Sequence, residues 1–119
     1  MELSFSKKNK TVIIMVSGEI DHHTSKELRW QTESAYIDMS VKNIIFYFEN
    51  VTFMDSSGIG MLIGRYKQLQ SIGGKISVVS ANEKITEIMQ FSGLSKLIPL
   101  FDTIEDAFSY TEGREHHAV

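Results

Sequence analysis

The sequence predicts an α/β fold built on a mixed, mostly parallel β-sheet that opens with an antiparallel hairpin. Three observations carry that prediction. Short apolar runs alternate with segments of helical period along the whole chain. The runs "VIIMV" and "IIFYF" are continuously apolar, as in strands covered on both faces. Finally, the polar triplet Lys8-Asn9-Lys10 separates the first two extended runs at hairpin distance.

The elements follow in order. Leu3 and Phe5 alternate with polar residues in a first strand, and Thr11 to Val16 form a second, ended by Ser17-Gly18 and expected to be covered on both sides. "DHHTSKELRWQTESAYI" takes a helical period with Leu28, Gln31-Thr32, Ala35 and Tyr36 as its buried stripe. Thr24 or Ser25 can cap it, and Glu27 stands three residues after Thr24 as a capping box requires. Ile44 to Phe48 is the next strand. A helix over 58–72 then carries Ile59, Leu62, Ile63, Tyr66 and Leu69 and stops at Gly73-Gly74. "KISVVS" is a strand, and "EKITEIMQFSG" a helix bearing Ile85, Ile88 and Met89 that stops at Gly93. "KLIPL" is a short extended piece whose Pro99 suits a sheet edge, and Thr103 begins a last helix with Ile104, Ala107 and Phe108. The order is β-β-α-β-α-β-α-β-α, with about four helices and right-handed crossovers between the parallel strands. Residues 1–112 make one domain, and 113–119 are expected to be a flexible tail.

Composition narrows the function. The chain has 119 residues, 42% hydrophobic and 23% charged, which suits one soluble domain with its own core. Twelve basic against 15 acidic side chains give a formal charge of -3, a poor match to a nucleic-acid backbone. There is no cysteine, which excludes disulfides, thiol nucleophiles and cysteine-ligated metals. The N-terminus lacks the apolar stretch of a signal peptide, and no run approaches the roughly 20 apolar residues that span a bilayer. A cytoplasmic protein with no membrane or nucleic-acid partner is expected.

Chemistry concentrates at Asp55-Ser56-Ser57-Gly58, a strand-to-helix junction at the sheet end where ligands of open α/β folds gather. Three readings compete there. Asp and Ser are preferred N-caps, and Gly58 permits close packing, so capping alone accounts for the residues. A serine nucleophile would need an activating base, and His22 and His23 are the only histidines before the tail; "DSSGI" also lacks the Gly-x-Ser-x-Gly elbow. Covalent modification is the third reading: a phosphate at a helix start meets backbone N–H groups and the positive end of the dipole, and adds about two negative charges to any docked surface.

Two other features invite explanation. Glu19, Asp21, His22 and His23 form a polar cluster, but adjacent histidines diverge and no further ligands recur at helical spacing, so a solvated loop or a contact surface is expected rather than a metal site. Gly60 and Gly64 lie four apart inside a helix, where each glycine costs about 1 kcal/mol against alanine. Close approach by the sheet is the common cause, and close approach by a partner is the alternative. Arg65 and Lys67 beside them are expected on a solvated face. These glycines lie within the helix, not before it, and so form no dinucleotide-binding loop.

"FMDSSGIG" at 53–60 resembles the signature of STAS domains of the anti-sigma factor antagonist family. "VSGEIDHHT", "GRYKQ", "IGGK" and "FSGL" match the family in order and spacing, from the first strand to about residue 110. The resemblance implies a STAS-like fold over the domain and a binding protein, not an enzyme, without cofactor or metal. It implies an anti-sigma factor that is also a serine kinase as partner, release of the sigma factor on binding, phosphorylation that abolishes binding, and reactivation by a phosphoserine phosphatase. The phosphorylated serine maps onto Ser56. The docking surface maps onto Asp21, His22, His23 and Thr24, and onto Asp55, Ser56, Ser57, Gly58, Ile59, Gly60 and Met61. "DHHT" and "GRYKQ" are most similar to the family's sporulation branch, which serves sigma F; the general-stress branch of the sigma B type shares the switch. From another class, a small serine hydrolase stays open as the alternative. Trp30 and the tail match no pattern of the family.

Overall fold

Strands β1 (Glu2–Lys8) and β2 (Thr11–Ile20) pair antiparallel across Asn9, whose φ of 56° is the left-handed conformation that asparagine tolerates in a tight turn. In this computed structural model, which describes residues 1–112, three further strands extend the sheet in parallel: β3 (Asn43–Met54), β4 (Ile76–Val79) and β5 (Leu100–Phe101). Their spatial order is β1-β2-β3-β4-β5. The connections are α1 (His22–Asp38), α2 (Ser56–Gln70) and α3 (Glu83–Phe91), and α4 (Ile104–Glu112) follows the last strand. The expected element order is therefore observed, with one 3₁₀ turn at Leu94–Lys96 added before β5. The tail at 113–119 lies outside the described residues.

Period-two alternation divides the strands between two layers. Val12, Ile14 and Val16 of β2, Ile44, Phe46 and Phe48 of β3, and Ile76 and Val78 of β4 join Leu28, Leu62, Leu69, Ile85 and Met89 in one core beneath α1, α2 and α3. Sequential parallel strands joined by crossovers of one hand place their helices on one face, which explains this asymmetry. The opposite face carries a smaller cluster, Ile45, Val79 and Ala107, with Ile13, Tyr47 and Phe108 packed around it under α4.

That asymmetry corrects one expectation. β2 is not covered on both faces: α4 packs on β3, β4 and β5, so Ile13 is half-buried and Met15 is 40% exposed. Nor does Ser17-Gly18 end the strand. The pairing with β3 shifts between Met15 and Ser17 and again between Gly18 and Glu19, and Gly18 at φ 95° lets β2 continue to Ile20. β3 likewise continues past Phe48 to Met54, alongside that extension.

The opposite end of the sheet is tied by a polar node. Asn43 donates to Thr11 Oγ1 (3.3 Å) and accepts from the Lys75 amide (2.9 Å), while Thr11 donates to Glu112 of α4 (2.6 Å). Three strands and the last helix are thereby fixed at the amino ends of the parallel strands, away from the candidate site. α2 ends as its glycines predict: Gly73 at φ 75° donates to Gln70 O, and Gly74 donates to Leu69 O at 2.8 Å, a Schellman closure.

Candidate functional site

β2 and β3 run parallel with Ile20 opposite Met54, so the two chains leave the sheet side by side. Each meets an aspartate that caps a helix. Asp55 opens α2 in extended backbone, and its Oδ1 accepts from the Ser57 amide at 2.9 Å. Its own amide donates to Ile20 O at 3.2 Å, which ties the start of α2 to the end of β2. Ser56 is the first residue of the helix and exposed; Ser57 is half-buried.

Asp21 opens α1 in the same way and corrects the expected cap. Its Oδ1 accepts from the amides of His23 (3.0 Å) and Thr24 (2.9 Å), and its own amide donates to Thr24 Oγ1 at 2.8 Å. Thr24 is therefore the third residue of a reciprocal capping box, the role its hydroxyl takes in place of a glutamate, and not the cap itself. Its hydroxyl reaches Glu19 O at 2.7 Å. The backbone and side-chain hydrogen bonds from Thr24 hold the Asp21 carboxyl below its ordinary pKa, with smaller help from His23. His22 and His23 begin the helix with exposed side chains. Among the described residues no three His, Asp or Glu side chains are grouped to hold a metal, and neither serine hydroxyl is hydrogen-bonded to a histidine.

The structure thus brings together the two predicted segments, 21–24 and 55–61. Within the second, the residues divide. Gly58 is buried and must be glycine, because a Cβ there would collide with Met54 Cγ and stand 3.0 Å from Ile20 Cγ2. Met61 is 5% exposed, and Ile59 is half-buried against the core. Ser56 and Gly60 are exposed.

The glycines at 60 and 64 are not there for the sheet. A Cβ at either position would meet nothing within 4 Å. Both open onto a groove between α1 and α2, lined also by Lys26, Arg29, Ser57 and Arg65. Arg65, expected on a solvated face, is buried: its Nε donates to Gln68 (3.0 Å) and its Nη2 reaches Glu33 of α1 (3.4 Å). Burial lowers its pKa, the Glu33 carboxylate opposes that shift, and Arg29 adds to it. Phe53, also missed in the sequence, is 48% exposed two residues before Asp55 and borders an apolar hollow with Ile88 of α3. An aromatic just before a cap, in a register that turns it from the core, was the available signal.

Comparison with known proteins converges on one family. The STAS domain model matches residues 2–107. The anti-sigma F factor antagonist of Paenibacillus polymyxa is 33% identical over 112 residues, which cover 94% of this chain and 96% of that relative. The structure of the anti-sigma factor antagonist SpoIIAA in its unphosphorylated form superposes with a TM-score of 0.80 at 31% identity, covering 94% of this chain and 97% of that one. The phosphorylated form of the Bacillus cell fate determinant SpoIIAA gives 0.71 at 31% identity over 92% of this chain and 98% of that one. The chain belongs to the STAS domain family, among its anti-sigma factor antagonists.

Proposed function

We propose that this chain is a phosphorylation-switched antagonist of an anti-sigma factor, and that Ser56 is the switch. The observation that carries the reading is the place of Ser56: exposed, first in α2, directly after a capping aspartate. There a phosphate sits at the positive end of the helix dipole and costs the fold little. The same phosphate adds about two negative charges to the surface shared by the starts of α1 and α2, and a docked partner must desolvate and face them.

In this reading the unphosphorylated chain binds a cytoplasmic anti-sigma factor that is also a serine kinase, frees the sigma factor, and is released when the kinase modifies Ser56. A phosphoserine phosphatase restores it. Asp21, His22, His23 and Thr24 on one side, and Asp55 to Met61 on the other, form the docking surface, with Gly58 and Met61 shaping it from beneath. The name of the Paenibacillus relative supports sigma F as the factor released. Calorimetry against the anti-sigma factor kinase encoded by the same genome tests the reading. Wild type should bind and Ser56→Asp should bind at least tenfold more weakly; equal affinities would contradict the switch.

A further inference from the structure

The groove between α1 and α2 has a charge and a shape that the Ser56 switch does not use. It is open to solvent along one side and has a volume of about 210 Å³. Its lining carries three cations, Lys26 and Arg29 of α1 and Arg65 of α2, and no carboxylate among the described residues; Glu33 stands behind two of them, 3.8 Å from Arg29 and 3.4 Å from Arg65, and Asp55 lies beyond Ser57 at the helix start. The groove is open because two helix positions that any side chain would fill are glycine: Gly60 and Gly64 face empty space. Arg65 is 6% exposed, and its Nη1 has no hydrogen-bond partner among the described residues. A buried guanidinium donor without an acceptor is costly to keep, and a carboxylate is the group that pairs most strongly with a guanidinium.

We propose that this groove receives an acidic side chain of the anti-sigma factor, seated over Gly60 and Gly64 and paired with Lys26, Arg29 and Arg65. The inference rests on the docking reading above and extends its surface along α2, since Ser57 lines both the groove and the helix start. The excess of positive charge selects a carboxylate rather than a basic or apolar group, and the missing Cβ atoms let the partner's chain approach the helix backbone. The two glycines then have one cause in common, room for a docked chain, which sheet packing does not supply.

Three variants test this against wild type by calorimetry with the anti-sigma factor kinase at two salt concentrations, with circular dichroism and thermal unfolding to confirm folding. Gly64→Leu fills the groove without changing charge; Lys26→Glu with Arg29→Glu reverses its outer wall; Lys67→Glu changes an exposed charge on α2 that does not line it. The groove variants should each weaken binding at least tenfold, and the reversal should also flatten the salt dependence, while Lys67→Glu stays within about twofold of wild type. If wild type binds and folded Gly64→Leu and the double reversal bind equally well, the groove assignment is overturned and the Ser56 reading stands. If wild type itself does not bind, the docking reading fails, and the groove assignment with it.

Discussion

Asp21 and Asp55 are structural equivalents. Each follows directly on one of the registered residues Ile20 and Met54, each lies in extended backbone (φ -108° and -103°, ψ -171° and -169°), and each caps a helix with its carboxylate. The two helix starts therefore present their amide ends on one side of the molecule. A group placed there meets two dipoles and two caps, which makes the surface sensitive to added negative charge on either helix.

Removing one cap should loosen that surface. Asp55→Ala deprives the Ser57 amide of its acceptor and should cost about 1 kcal/mol, a fall in Tm of about 3–6 °C. Urea and thermal unfolding measure it. A loss confined to the noise of the transition would mean that the helix start is held by packing alone.

The Asp21 cap should show in acid. Its carboxyl titrates below the ordinary 3.8 in the folded state, chiefly because of the Thr24 amide, so the unfolded chain holds more protons as pH falls. The stabilisation from this group is complete above the unfolded pKa and is lost as pH drops through the lower folded value. The difference in urea midpoint between wild type and Asp21→Asn should therefore hold from pH 7 down to about pH 4 and narrow progressively below the ordinary value of 3.8. A constant difference across the range would contradict the assignment.

The glycines of α2 should behave in opposite ways. Gly58→Ala forces a Cβ onto the Met54 side chain and should cost about 1–3 kcal/mol. Gly60→Ala and Gly64→Ala meet no neighbour and should each stabilise by up to about 1 kcal/mol through helix propensity alone. Chemical denaturation of the three variants distinguishes packing from open surface.

At the far end of the sheet, Asn43→Ala strands the Lys75 amide and removes a partner of Thr11. A buried donor left without an acceptor costs about 1–3 kcal/mol. Hydrogen exchange should show faster opening at the start of β4, with the amides of α1 and α2 unchanged at their capped ends.

The alternation of elements and the hairpin were legible because apolar period alone specifies them: Ile14, Ile44 and Val78 need no partner to declare a strand. What escaped the sequence was set by tertiary contact. The second halves of β2 and β3 are polar at Ser17, Glu19, Glu49 and Asn50, and their mutual ladder, with Ser17 also paired to Glu2 of β1, makes them strands. Arg65 looks solvated by type, but α1 packs over it, and the buried face of α2 widens to take in Met61 and Arg65 while Ile59 and Ile63 pack at its margin, half-buried. The capping of α1 was misplaced by three residues because Thr24 supplies half of the box. Gly60 and Gly64 were visible as an anomaly, but their cause, a groove instead of a sheet contact, depended on where α1 lies.

The central claim is that Ser56 is the switch, and its most direct test is to count and place the phosphate. Intact-mass spectrometry after incubation with ATP and the anti-sigma factor kinase, followed by peptide mapping, should find one phosphate, on Ser56. The same label should persist in Ser57→Ala and vanish in Ser56→Ala. A phosphate mapped to Ser57, or none on folded protein with an active kinase, would contradict the account.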